Sequence, residues 1–123
     1  LGKLFIHVHT GILPHYRGST TIYYSILNEG SVGATSIFLD NGIDTGQIIC
    51  KQSYKLDFDS RQIDHIYDGL VRANHIIETI KMLMSREIVM EKQSDPDSQT
   101  YYVIHPVLKH FAIKKGLRIC GLE

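Results

Sequence analysis

The stretch His7 to Gly18, HVHTGILPHYRG, restricts what this chain can fold into more than any other part of it. The apolar run Leu4-Phe5-Ile6 leads into two histidines one residue apart. Side chains alternate along a strand, so His7 and His9 are expected on one face. Gly11 and Pro14 turn the chain out of that strand, and Tyr16-Arg17-Gly18 carries it into the next element. A counterpart lies at Gly42 to Ile48, GIDTGQI, where Asp44 sits in a glycine-flanked turn. Imidazoles and a carboxylate at the ends of separate strands are the material of an α/β active site, because such sheets bind ligands beyond their carboxyl ends.

The rest of the sequence supplies elements to hold those two turns. Leu4 to His9 reads as a buried strand and Thr10 to Gly18 as a loop. Ser19 or Thr20 can cap a helix from Thr21 to Glu29 that presents Ile22, Tyr23, Ile26 and Leu27 inward and stops at Gly30. Ala34 to Leu39 and Gln47 to Tyr54 read as strands, separated by the turn residues Asp40-Asn41-Gly42. Asp57 or Asp59 opens a long amphipathic helix to about Met84, with Ile63, Ile66, Tyr67, Leu70, Ala73, Ile77, Ile80 and Met84 at three- and four-residue steps. Glu87 to Lys92 and Thr100 to Ile104 are expected as short strands, with a turn at Ser94-Asp95-Pro96-Asp97. Pro106 opens a last helix that Gly116 ends, and Leu117 to Cys120 follows as a strand. Strands mixed with helices predict an α/β fold with a mostly parallel sheet.

The 123 residues suffice for one domain with a real core. Thirteen basic and 13 acidic side chains balance, which gives no electrostatic footprint for nucleic acid or an anionic membrane. No apolar run approaches the ~20 residues that span a bilayer. Cys50 and Cys120 read as reduced core residues of a cytoplasmic protein, with a disulfide the minority reading. An apolar strand with so little sequence around it to supply neighbours predicts that the chain is the later part of a larger domain, and a second copy covering that strand's edge would make a homodimer.

Three readings of His7 and His9 stand side by side on the residues alone. Either ring can be a histidine satisfied by backbone groups. A His-x-His pair can also hold a metal ion, though further ligands are then needed. Alternatively, Asp44 orients His9 and raises its basicity for acid–base chemistry. His65, His75 and His110 fall on helices and are expected on solvated faces, and Tyr23, Tyr24, Tyr101 and Tyr102 read as core or rim.

The ordered motifs resemble the folate-dependent formyltransferases. His9-Thr10-Gly11-Ile12-Leu13-Pro14-His15-Tyr16-Arg17-Gly18 is similar to that family's H-x-S/G-x-L-P-x-Y/W-R-G signature. Tyr24 to Gly30, YSILNEG, resembles its helix ending in A-I-x-x-G, and Gly33 to Ile49, GATSIFLDNGIDTGQII, its segment with D-x-G-x-I. Thr100-Tyr101-Tyr102 and Lys114 to Arg118 resemble more weakly the closing region of sugar-type members.

The resemblance implies a Rossmann-like formyltransferase domain, of which residues 1–123 would be the C-terminal portion, the N-terminal half lying outside this sequence. It implies N10-formyltetrahydrofolate as co-substrate and an amine as acceptor. His9 and Asp44 match the family's catalytic pair, while His7 fills the position of an Asn that helps to stabilise the oxyanion. On that reading Asp44 keeps His9 charged. Gly11, Leu13, Pro14, Tyr16, Arg17 and Gly18 would line or fix the donor site, with no metal involved. A small amine acceptor such as an amino sugar nucleotide is favoured over tRNA, because the net charge is zero. Hydrolysis of the formyl donor and a non-catalytic formyltransferase-like domain remain the alternatives.

Overall fold

The structure is a computed structural model and describes residues 2–94, 96 and 98–123. In chain order the elements are β1 (Ile6–His9), β2 (Arg17–Gly18), α1 (Thr21–Glu29), β3 (Val32–Phe38) and β4 (Ile48–Tyr54). A 3-10 turn (Ser60–Gln62) and a π-helical turn (Ile63–Tyr67) then run into α2 (Asp68–Ser85), followed by β5 (Thr100–Tyr101) and α3 (Pro106–Ile119). The turn expected at Ser94 to Asp97 lies partly outside the described residues.

The fold is α/β, but its larger sheet is antiparallel throughout, which corrects the expectation of a mostly parallel sheet. The strand order is β1-β3-β4, with His9 opposite Thr35 and Ile37 opposite Ile48. The β3–β4 connection is too short to carry a crossover helix, so the strands pair as a hairpin. A parallel pairing does occur between the two-residue strands β2 and β5, Arg17 opposite Thr100 and Gly18 opposite Tyr101. Glu87 to Lys92 forms no strand; its one pairing is an antiparallel bridge between Glu91 and Ile48.

Helix α1 has the expected span and ends where Gly30 adopts φ 70°, its amide donating to the Ile26 carbonyl. Thr20 occupies the N-cap position without a side-chain cap; its hydroxyl instead accepts from the Ile104 amide. Ile22, Tyr23 and Ile26 of α1 meet Val32, Ala34, Leu56, Phe58, Ile63 and Ala112 in the main core. A second small core joins Leu13, Ile37 and Ile48.

Two helical readings change. Helix α3 passes through Gly116 to Ile119, replacing both the expected stop and the strand from Leu117 to Cys120. Gly116 is a contact, not a terminator: a Cβ there would lie 2.7 Å from that of Ser60, whose hydroxyl donates to the Ile113 carbonyl. Along the π-helical turn and α2 the apolar stripe faces away from the sheet, leaving Ile66, Leu70, Ile77, Ile80 and Met84 exposed. The buried face is Val71, His75 and Thr79.

That buried face is polar, and its polar atoms are paired. The Cys50 carbonyl 3.2 Å from His75 Nε2 can only accept, so Nε2 carries the proton and Nδ1 accepts from the Tyr54 hydroxyl at 2.9 Å. Thr79 donates to Ser36 Oγ across the same interface. His75 is therefore an interior residue, not the solvated one expected. Burial lowers its pKa more than the Cys50 carbonyl and Glu78 raise it. As pH falls, unfolded chains take up this proton first, near the ordinary histidine value of ~6.5. Stability should be complete above that pH, decline through it, and level off once the folded ring also protonates. Urea midpoints from pH 8 to 5.5 should show this decline, shallower in His75→Gln; a midpoint that rises on acidification would contradict it.

Candidate active site

The strand β1 and the turn before β4 deliver the three residues singled out from the sequence to one place. His9 Nδ1 lies 3.5 Å from Asp44 Oδ2, and His7 Nε2 lies 3.8 Å from Asp44 Oδ1. Both separations are longer than a direct hydrogen bond. The His9 side chain is 5% exposed, that of Asp44 11%, and that of His7 40%, so His7 faces the solvent side.

Each group is held by the backbone around it. The Tyr16 carbonyl stands 2.5 Å from His9 Nε2, which must therefore donate and leave the neutral ring's lone pair on Nδ1, toward Asp44. Thr21 Oγ1 is 3.3 Å from the same nitrogen and donates to the Thr10 carbonyl. Asp44 has φ 53°, a left-handed conformation that aspartate tolerates better than most residues. The Gly18 amide donates to its Oδ2 at 3.0 Å. Gln93, which the sequence did not single out, donates to the Asp44 and Gly46 carbonyls and accepts from Arg17 Nε and Nη2.

Burial sets the protonation of His9. Desolvation lowers its pKa by more than the Asp44 carboxylate and the Tyr16 carbonyl raise it, and the charges of Arg72 and His7 lower it further. That direction runs against the expectation that Asp44 keeps His9 charged, although the Asp44 carboxylate does pull the pKa upward. The geometry sets the His9 Nδ1 lone pair beside the Asp44 carboxylate at 3.5 Å.

The remaining candidates divide. Gly11 lies against the His9 ring, where a Cβ would come within 3.0 Å of Nε2. Leu13 is fully buried against Ile37 and Ile48 and joins Pro14 through a cis peptide bond. It supports the site from beneath. Tyr16 donates to Glu29 and stacks on Tyr101 with ring centroids 5.4 Å apart; burial pushes its pKa up to about 12. Arg17 is buried, and its guanidinium bonds Gln93 as a loop clamp does.

A polar cleft of about 210 Å³ opens beside β1, lined by Thr10, Thr20, Ile22, Tyr23, Asp64, Asp68 and Arg72. Arg72 bonds Asp68 and the Val8 carbonyl, and Thr10 donates to Asp68. Arg72 and Asp68 are four residues apart on α2, a spacing that on sequence alone reads only as a surface ion pair.

The fold and site define an α/β domain that brings His9, His7 and Asp44 together at strand-end turns. The formyl transferase family profile matches residues 2–80, and the chain belongs to that family. It is 32% identical over 108 residues to the methionyl-tRNA formyltransferase of Caldanaerobacter subterraneus subsp. tengcongensis, covering 85% of this chain and 35% of that protein. It is 42% identical over 81 residues to the methionyl-tRNA formyltransferase of Desulforamulus reducens, covering 63% and 25%. Among solved structures, it is similar to WlaRD, a sugar 3N-formyl transferase crystallised in the presence of dTDP and 5-N-formyl-THF, with TM-score 0.64 and 26% identity over 94% of this chain and 46% of that one. The chain thus spans about a third of the first of these relatives. Among the described residues no helix is long and apolar enough to cross a membrane.

Proposed function

We propose that this chain carries the catalytic centre of a formyltransferase that moves a formyl group from N10-formyltetrahydrofolate to a primary amine. The observation that carries the reading is the convergence of His9, Asp44 and His7 on one point, with the His9 Nδ1 lone pair turned toward Asp44. The acceptor nitrogen attacks the formyl carbon, and the carbonyl oxygen becomes an oxyanion. His7 Nε2–H, on the solvent side, donates to that oxygen. His9 Nδ1 takes the amine proton while Asp44 stabilises the resulting imidazolium. The proton then passes to the folate nitrogen as its bond to the formyl carbon breaks.

The acceptor is an amine of one of two kinds. The sequence relatives are methionyl-tRNA formyltransferases, and the solved structures that the chain resembles include both a sugar and a methionyl-tRNA formyltransferase. The balanced charge supports the amino sugar nucleotide. Residues 1–123 would form the C-terminal portion of the catalytic domain. The exposed apolar stripe of α2 and the outer edge of β1 fit packing against further domain structure or a second copy, and a cytoplasmic location suits a folate co-substrate.

The experiment is release of tetrahydrofolate by the complete protein between pH 6 and 9, with a dTDP-linked amino sugar or methionyl-tRNA as acceptor. If His7 donates to the oxyanion, His7→Ala should lose ~10²–10³ in turnover. His7→Asn should keep or gain activity, because an amide is a donor that does not titrate. Equal, measurable rates for wild type and His7→Ala would remove His7 from the mechanism. Release without any acceptor would point to hydrolysis of the donor instead.

A further inference from the structure

His7, His9 and Asp44 bring three metal-ligating atoms within 4.8 Å of one another. We propose that they form a binding site for one divalent transition-metal ion, with Zn²⁺ the best-fitting case, held by His7 Nε2, His9 Nδ1 and an Asp44 carboxylate oxygen. The proposal goes beyond formyl transfer and does not depend on it, since it needs only these three side chains.

The orientation of the groups is the main support. His9 Nε2 donates to the Tyr16 carbonyl at 2.5 Å, so the Nδ1 lone pair of the neutral ring faces Asp44 Oδ2 at 3.5 Å. A lone pair facing a carboxylate is two acceptors without a donor, an arrangement that a cation between them satisfies. Ligating imidazoles commonly donate their other N–H to a backbone carbonyl, as His9 does here. The carboxylate is fixed in the same way, by the Gly18 amide at 3.0 Å. Its backbone is pinned by Gln93 Nε2, 2.8 Å from the Asp44 carbonyl.

The dimensions and donor types agree. Zinc bonds of ~2.0–2.2 Å in tetrahedral geometry place ligand atoms ~3.3 Å apart. The three ligand atoms lie within 4.8 Å of one another, His9 3.5 Å from Asp44 Oδ2 and His7 3.8 Å from Asp44 Oδ1, and a turn of the half-exposed His7 ring supplies the contraction. Two imidazoles and one carboxylate leave coordination positions open and favour zinc-like ions over the all-oxygen preference of Mg²⁺ and Ca²⁺. Such an ion would occupy the lone pair that proton transfer needs. On the formyl-transfer reading, zinc would then be a reversible inhibitor.

The test is direct binding to tag-free protein, by calorimetry with Zn²⁺ and by the visible absorption of Co²⁺. One ion per chain is expected, weakened at least ~10–100-fold in both His7→Asn and Asp44→Asn, the range seen even for loss of an outer-shell partner. His110→Ala, exposed on α3, should bind like wild type. Should the site variants fail to fold by circular dichroism, wild-type NMR decides: substoichiometric Co²⁺ should broaden the His7 and His9 ring signals before those of His65 and His110. No bound ion, wild-type affinity in His7→Asn, or earlier broadening at another histidine would overturn the site. These readouts follow the ion, not turnover, so their failure leaves the formyl-transfer reading standing.

Discussion

Replacing His9 by alanine should lower formyl transfer by the complete protein ~10²–10⁴-fold, the usual contribution of a positioned general base. His9 has the shielded, aligned nitrogen that such a step requires. Its side chain is 5% exposed, its Nε2 is occupied by the Tyr16 carbonyl, and its Nδ1 is directed at Asp44. Burial depresses its pKa, so the base form prevails at neutral pH and activity should fall as the pH drops toward the titration of the ring. His9→Ala also removes the anchor of the Tyr16 carbonyl, so folding must be checked beside kinetics. A variant that folds normally and turns over like wild type would exclude the base.

A large structural effect is expected at Gly18. Its φ of 100° is one that side chains rarely adopt, and a Cβ there would stand 2.1 Å from the Tyr101 carbonyl oxygen. Gly18→Ala must therefore part β2 from β5 while bearing an unfavourable backbone conformation. Each effect costs ~1–3 kcal/mol, for a combined loss of ~2–6 kcal/mol. The same shift moves the Gly18 amide away from Asp44, so site geometry and stability should fail together. Gly69→Ala is the control, because a Cβ there meets nothing within 4 Å. Equal denaturation midpoints for Gly18→Ala and wild type would show that β2 and β5 tolerate the methyl.

What the sequence reveals is local, and what it conceals depends on neighbours. Helix α1 is legible because Gly30 supplies the left-handed stop its pattern requires. The meeting of His9 with Asp44 is legible because both lie at strand-end turns bearing recognisable motifs. Strand direction is not legible, since alternation of side chains says nothing about whether the β3 partners run with it or against it. Gly116 misleads because glycine serves equally as a helix stop and as the small residue under a close contact, here with Ser60. The face of α2 misleads for a different reason: apolar spacing points to Ile66, Leu70, Ile77 and Ile80, yet the sheet takes up His75 and Thr79, whose polar atoms pair with Tyr54, Cys50 and Ser36. Gln93 carries no signal at all on sequence, because its value lies in joining Arg17 to the Asp44 turn.

The most direct test of the central claim is a double-mutant cycle on His9 and Asp44, read as tetrahydrofolate release by the complete protein with N10-formyltetrahydrofolate and an amine acceptor. Groups that act as one unit are strongly non-additive. The expected result is a large loss for His9→Ala, a smaller one for Asp44→Ala, and a double variant no slower than His9→Ala alone. Losses that multiply, or a double variant that turns over like wild type, would contradict a working pair.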